Sequence, residues 1–274
     1  MNEKLKKGQT LSTKLGVTVT IKEWLAEGGQ GDVYLVEYAG EEKVLKWYKK
    51  AAIGDNSQMF YDNLVDNIHR KRPDSHFIWP EDITPYNNGQ YGYIMEVLPT
   101  GYYEVGDFMN KVVMFKNYRI MIDAALNMIK AFRILHNAGL FYQDINEGNF
   151  AIDPNNGDVK IMDNDNVAPS GKSTGVLGKP RYMAPEIVIG ISNHQRAIET
   201  KADYVPPFVM PSVQSDLYSM AVILYILFTL NHPMEGKHYL VPGLTVKTQE
   251  RLYGKDVAFM MENNGKGNDP DPIV

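Results

Sequence analysis

The chain has no cysteine among its 274 residues. That excludes disulfides, thiolate chemistry and cysteine-ligated metals, and it fits a reducing, cytoplasmic setting. Long apolar runs are missing too. The longest, Leu217 to Leu230, is shorter than the ~20 residues needed to span a bilayer, so it reads as a helix buried in protein and no membrane insertion is expected. No apolar stretch follows the opening Lys4, Lys6 and Lys7, so no secretory signal is expected, and these lysines are too few for a polybasic anchor. Positive charge is not in excess: 28 Lys and Arg stand against 33 Asp and Glu, a formal net charge of −5. This argues against nucleic acid or an anionic membrane surface as a partner. What remains is ordinary globular composition, 44% hydrophobic and 22% charged, in a chain long enough for one large or two small domains.

Periodicity divides the chain into a strand-rich first part and a helix-rich second part. Met1 to Gly16 is polar and reads as an arm. Val17 to Trp24 alternates like a half-buried strand, and Val33 to Glu37 and Lys43 to Trp47 read as two more, joined by Ala39-Gly40-Glu41-Glu42. Asn56 to Arg70 predicts a helix. Phe77 to Ile83 and Tyr91 to Val97 predict a hairpin across Asn87-Asn88-Gly89. Beyond Gly101, Met121, Ala125, Met128, Phe132 and Leu135 fall on one helical face, with Asn117 as N-cap and Gly139 as stop. Phe150 to Asp153 and Val159 to Met162 predict a short hairpin, Asp216 to Leu230 an apolar helix, and Asn263 to Pro270 a flexible tail.

Several segments carry chemistry. Glu27-Gly28-Gly29-Gln30-Gly31-Asp32-Val33 lies between two strands. Glycines let backbone N–H groups approach phosphate oxygens, although a plain glycine-rich hairpin reads the same in isolation. The next strand carries Val44-Leu45-Lys46. A lysine on an apolar, inward-facing strand is costly unless an anion such as a nucleotide phosphate meets it; the alternative is a lysine reaching outward from an edge. In Tyr142-Gln143-Asp144-Ile145-Asn146-Glu147-Gly148-Asn149, an Asp precedes an Asn by five positions. That pair suits phosphoryl transfer, the Asp orienting or deprotonating a hydroxyl and the Asn holding magnesium. Asp163 adds a carboxylate for the metal, where Asp163-Asn164-Asp165-Asn166 alone would be a solvated Asx turn. Asp216 reads either as a helix cap or as a brace for the Asp144 turn.

Taken in order with Met183-Ala184-Pro185-Glu186, these pieces resemble the eukaryotic-type serine/threonine protein kinases, and more closely a bacterial branch of them. The resemblance runs from about Val17 to Pro233. It implies an α+β, bilobal protein-kinase-like fold over 1–274 as a single domain. A small β-sheet N-lobe with one helix would occupy about 1–98, and a mainly helical C-lobe about 99–274, ending short of the last helices of a full C-lobe. It implies ATP and Mg2+ as cofactors and a protein substrate that the residues do not specify. Glu27, Gly28, Gly29, Gln30 and Gly31 would cover the phosphates. Val33, Val44 and Ala151 would sandwich the adenine, with Met95 as gatekeeper and backbone near Glu96 and Leu98 as hinge. Lys46 would clamp the α- and β-phosphates, Asn149 and Asp163 would hold magnesium, and Asp144 would be the base. The runner-up reading is a pseudokinase that binds nucleotide as an interaction module, and the third is a small-molecule kinase.

Departures from the family pattern carry their own expectations. Tyr142-Gln143 replaces His-Arg before the base, so activity is expected not to need phosphorylation of Ser170, Ser173 or Thr174. Asn164-Asp165 replaces Phe-Gly, and Asp165 is expected to add to the metal site. The helix after Lys46 contains no Glu, so the usual Lys–Glu pair would be replaced by Asp62 or Asp66, or be missing. Asn146 stands where a Lys is usual, and Lys179 is read either as supplying that cation or as solvated. Glu186 finds no Arg after Arg251, and the stretch from Glu186 to Asp216, Pro-rich over 205–211, is read as a partner-binding insertion or a surface loop.

Overall fold

Thr and Lys alternating with Val and Ile give a ten-residue strand, Thr18–Glu27, in the computed structural model, which describes residues 4–49, 54–169, 172, 178–207, 209–239, 245–261 and 268–270. The tail residues 263–267 and the candidate positions Ser170, Ser173 and Thr174 lie outside the described residues. The chain divides into two units, one built from Met1–Tyr102 with Lys160–Ala168, the other from Tyr103–Val159 with Leu177–Val274.

In the first unit, the segment read as a polar arm contributes a strand. β1 (Thr10–Ser12) pairs antiparallel with β2 (Thr18–Glu27), Leu11 opposite Val19. β3 (Gly31–Tyr38) and β4 (Glu41–Tyr48) follow, closed by Ala39 and Gly40 at φ 53° and 83°, the left-handed pair that a two-residue hairpin requires. After helix α1 (Ser57–Arg70) come β5 (Asp82–Ile83) and β6 (Gly92–Met95), giving the sheet order β1-β2-β3-β4-β6-β5. The expected hairpin of Phe77 to Ile83 with Tyr91 to Val97 is shorter than its apolar pattern suggests. Ile78 N donates instead to Ile161 O at 2.8 Å, and Ile161 N to His76 O at 2.7 Å.

Register sets which side chains share a face, because successive residues alternate. Val33 lies opposite Lys46, and Lys46 opposite Tyr93; Leu35, Val44 and Met95 form the neighbouring row. The other face buries Val19, Ile21, Tyr34, Val36, Leu45, Trp47 and Ile94 as one cluster. On the Lys46 face, Tyr48, Tyr91 and Tyr93 pack with Phe60, Tyr61 and Leu64 of α1. Each such fully buried side chain contributes about 1.5–3 kcal/mol, which is what holds α1 against the sheet.

In the second unit, β7 (Tyr103–Glu104) leads into the short helix α2 (Val105–Met109) and then α3 (Tyr118–Asn137). Asn117 caps α3 by accepting from Ile120 N at 3.1 Å, and Gly139, at φ 72°, ends it. β8 (Leu140–Phe141) precedes the Asp144 turn, and β9 (Phe150–Ile152) pairs with β7. β10 (Val159–Ile161) carries the chain from the second unit into the first. α4 (Pro185–Glu199), α5 (Val213–Thr229) and α6 (Val246–Glu250) complete the unit.

Two sequence expectations change here. The apolar helix is buried on one side only: Leu217 and Phe228 of α5 are 56% and 40% exposed. An apolar composition all round a helix does not say which face finds a partner. The stretch after Glu186 begins not as a loop but as α4, with Pro185 in its first turn, where a missing N–H costs nothing. Glu186 is exposed. Ion pairs of the unit include Arg181 Nε to Glu235 Oε1 at 2.6 Å and Arg196 to Glu250 at 2.8 Å.

Beside the first of these pairs, Met234 N donates to His232 Nδ1 at 3.1 Å, so the proton sits on Nε2 and is donated to Arg181 O at 2.8 Å. Burial pushes the His232 imidazole down from 6.5 to about 4. The unfolded chain therefore binds a proton that the folded one refuses. The stability from this residue is present above pH 6.5 and is lost as pH falls towards 4, to a total of about 3 kcal/mol. The melting temperature should drop across this window more steeply in the wild type than in His232→Asn; equal slopes would rule the assignment out.

Candidate active site

In the first unit the glycine hairpin closes tightly, Gly28 N donating to Gly31 O at 2.8 Å. A Cβ on Gly31 would lie 2.5 Å from Trp47 O, so the strand pairing itself demands that glycine. A Cβ on Gly29 would meet nothing within 4 Å, and one on Gly28 only Gly31 O at 3.4 Å. Packing does not require these two, and the space beside their backbone is open. Glu27 is engaged elsewhere, by Lys49 Nζ at 2.6 Å and Lys4 Nζ at 3.2 Å, and these bonds hold its carboxyl below the usual range. Gln30 offers its carbonyl to Lys49 N at 2.9 Å.

Lys46 does not reach outward. Its side chain is 8% exposed, with Nζ 2.7 Å from Asp165 Oδ2 and 3.1 Å from Asp163 Oδ1. Burial alone would push its ammonium down, but the charges of Asp163 and Asp165 more than reverse this and keep it protonated. Tyr48, two positions on and on the same face, also donates to Asp165 Oδ2. Asp165 has no exposed side-chain surface, whereas that of Asp163 is 42% exposed. Asp163 takes left-handed geometry, φ 49° and ψ 45°, at the mouth of a 3-10 turn over Asn164–Asn166.

This arrangement decides among the alternatives for the partner of Lys46: the carboxylate from the helix is missing. Neither Asp62 nor Asp66 pairs with Lys46. Asp62 is exposed and accepts from Gln58 at 2.9 Å, and Asp66 lies 3.6 Å from Arg70. The inward face of α1 presents, beside its apolar residues, Asn63 and Asn67, both donating to Val167 O at 2.8 Å. Asp165, expected to add to the metal site, is held by Lys46 and Tyr48. Asn164, polar where an apolar residue is usual, is fully buried and donates to Ile78 O at 2.7 Å and Ile161 O at 2.8 Å. Nearby, Met95 ends β6 beside Val44, Leu98 is half-buried, and Glu96 takes both carboxylate bonds from Arg72 at 3.1 Å.

In the second unit the Asp144 turn is braced from α5. Asp216, 2% exposed, accepts from Tyr142 N at 2.7 Å, Gln143 N at 3.2 Å and His136 Nε2 at 3.0 Å. The cap of α5 is Ser212, so the bracing reading of Asp216 holds and the capping one does not. Gln143 sits at φ 73°, which turns the chain so that Asp144 follows. Asn149 Nδ2 donates to Asp144 O at 2.7 Å, and Asn146 Nδ2 to Asp144 Oδ1 at 3.0 Å. Asn146 thus orients the carboxylate. A Cβ on Gly178 would lie 2.9 Å from Gln143 O and 3.4 Å from Asp144 Oδ1. Lys179, with a half-exposed side chain, is 3.4 Å from Glu147 Oε1. Ala151 has no accessible surface.

This arrangement matches known proteins along most of its length. The model of the protein kinase domain covers residues 19–251. The chain belongs to the protein kinase domain family. Bacterial serine/threonine kinases are among its relatives in this family. It is 24% identical to the probable serine/threonine-protein kinase PknB of Bifidobacterium longum, over 82% of this chain and 28% of that protein. It is 25% identical to protein kinase C delta type of Mus musculus, over 79% of this chain and 30% of that protein. Over 48% of the chain it is 30% identical to the serine/threonine-protein kinase PknA of Mycobacterium tuberculosis. The chain therefore spans less than a third of the length of these relatives. Among solved structures, a double mutant of the PknI kinase domain of Mycobacterium tuberculosis aligns with 85% of this chain and 81% of its own, at TM-score 0.57 and 19% identity, and shows the kinase fold.

Among the described residues, no helix is long and apolar enough to cross a membrane. Within the family frame, the residues that sequence reasoning missed are Tyr48, Asn63 and Asn67. Two signals were available: the alternation that puts Tyr48 on the face of Lys46, and the four-residue step that stacks Asn63 and Asn67 on one side of α1.

Proposed function

We propose that this kinase-family chain transfers the γ-phosphoryl group of ATP to serine or threonine hydroxyls of proteins, in a magnesium-dependent reaction. The observation that carries the reading is Lys46, a charged ammonium buried at 2.7 Å and 3.1 Å from two carboxylates. No structural need of the sheet accounts for it, and burying such a charge is costly unless the site uses it.

Each residue has a role that its environment supports. Lys46 binds the α- and β-phosphates, and the open backbone at Gly28 and Gly29 lies along the phosphate chain. Val33, Val44 and Met95 line the base, with main-chain groups near Glu96 and Leu98 pairing with its edge. Each unit offers an oxygen donor suited to a hard cation: in the first, Asp163 has a partly exposed carboxylate, and in the second, Asn149, whose amide nitrogen is engaged with Asp144 O, has its carbonyl oxygen. Magnesium, when bound there, neutralises charge on the phosphate oxygens. Asp144 accepts the proton of the substrate hydroxyl as its oxygen bonds to phosphorus and the bond to the β-phosphate oxygen breaks; Asn146 keeps the carboxylate turned for this.

The test is transfer of label from γ-labelled ATP to mixed protein substrates with and without magnesium, followed by phosphoamino-acid analysis. Label on serine or threonine, dependent on magnesium, is the expected result. A magnesium-dependent rise in melting temperature with ATP but no transfer would favour the second reading, a nucleotide-binding pseudokinase, which draws on the polar Asn164 and on Asn146. The variant Ser170→Ala, Ser173→Ala, Thr174→Ala should retain at least about half the rate, because Gln143 offers no guanidinium to a phosphate. Loss of most activity would show that an activating phosphate is needed.

A further inference from the structure

We propose that Asp165, assisted by Tyr48, is the positioning residue for Lys46, doing from the metal-side segment what a carboxylate on α1 would otherwise do. The consequence for catalysis rests on the phosphoryl-transfer reading; the geometry does not.

α1 has no Glu, its two carboxylates at Asp62 and Asp66 serve Gln58 and Arg70, and its buried positions, Asn63 and Asn67 among them, are all neutral. Lys46 nevertheless has a buried carboxylate at 2.7 Å, and it comes from Asp165. Tyr48 gives that same oxygen a second donor, so Oδ2 is fixed from two sides by adjacent same-face positions of β4. The other oxygen, Oδ1, is buried without a hydrogen-bond partner among the described residues, so Lys46 and Tyr48 alone orient the group. Asp163 is different in kind. It is partly exposed and can turn to a cation while Lys46 keeps one carboxylate. Two carboxylates against one ammonium leave one negative charge, which suits an incoming divalent ion. α1 still contributes, but through Asn63 and Asn67 holding the carbonyl of Val167 two residues beyond Asp165. The helix sets the segment, and the segment sets the lysine.

The test uses the full chain with Asp165→Asn, Lys46→Met, the double variant of these two, and Asp62→Ala combined with Asp66→Ala. In melting temperature without nucleotide, the effects of Asp165→Asn and Lys46→Met should fail to add, since each removes the same contact. Asp165→Asn should lower kcat at least 50-fold while the magnesium concentration for half-maximal rate changes less than threefold. The Asp62 and Asp66 pair should stay within twofold of wild type. Strictly additive melting temperatures, a near-normal rate in Asp165→Asn, or a tenfold rise in its magnesium requirement would each overturn the assignment, the last by making Asp165 a metal ligand. If the wild type transfers no phosphate, the functional reading fails, and the melting-temperature cycle still decides whether Asp165 holds Lys46.

Discussion

Asp144→Asn should cut phosphoryl transfer roughly 10³-fold while ATP affinity, followed as a thermal shift, changes less than about threefold. The substitution keeps shape. Asn149 bonds to the main-chain carbonyl of residue 144, which the change does not touch, so the turn survives. Asn146 donates to Oδ1, and the new amide can present its own oxygen there. What disappears is basicity: an amide accepts no proton from the attacking hydroxyl. General-base removal typically costs 10²- to 10⁴-fold, and the upper half of that range is expected where the transition state depends on a well-oriented nucleophile. A rate above a tenth of wild type would mean that Asp144 orients the hydroxyl without taking its proton.

Asp216→Ala is expected to have the largest effect on stability. Its carboxylate is the acceptor for Tyr142 N, Gln143 N and His136, and it is 2% exposed. Truncation leaves two amide donors and an imidazole facing a cavity. Breaking a buried charged network of this kind costs about 3–5 kcal/mol, most of it desolvation that is no longer compensated. For a chain of this size the melting temperature should fall by roughly 10 °C. Activity should fall further than the folded fraction does, because Gln143 holds its left-handed φ of 73° within this bracket. A drop under about 3 °C would indicate that water takes over the acceptor's place.

Much of the site could be read from the sequence where the chemistry is local. The Asp144 to Asn149 spacing, the glycine hairpin and Lys46 on an apolar strand each carry their reason within a few residues. The turns were equally legible: Gly40, Asn88-Gly89 and Gly157 all take positive φ where Gly or Asn marks them. The partner of Lys46 was not legible. Asp165 lies 119 positions further along the chain, and a single left-handed residue, Asp163, decides which way it faces. Asp62 and Asp66 had suitable charge but fell on the wrong sides of α1, as helical phase dictates and composition does not. α4 starts where Pro185 and Glu186 together mark a helix start, and the Pro-rich stretch that follows it says nothing of how far the helix runs.

Gly178 passes the carbonyl of Gln143 so closely that even a methyl group would collide with it at 2.9 Å. A descendant that acquired any side chain at this position would have to push Gln143 and Asp144 out of register while its sheets and helices stayed intact. Among kindred sequences, glycine at this point should therefore separate working catalysts from those that have inherited only the shape.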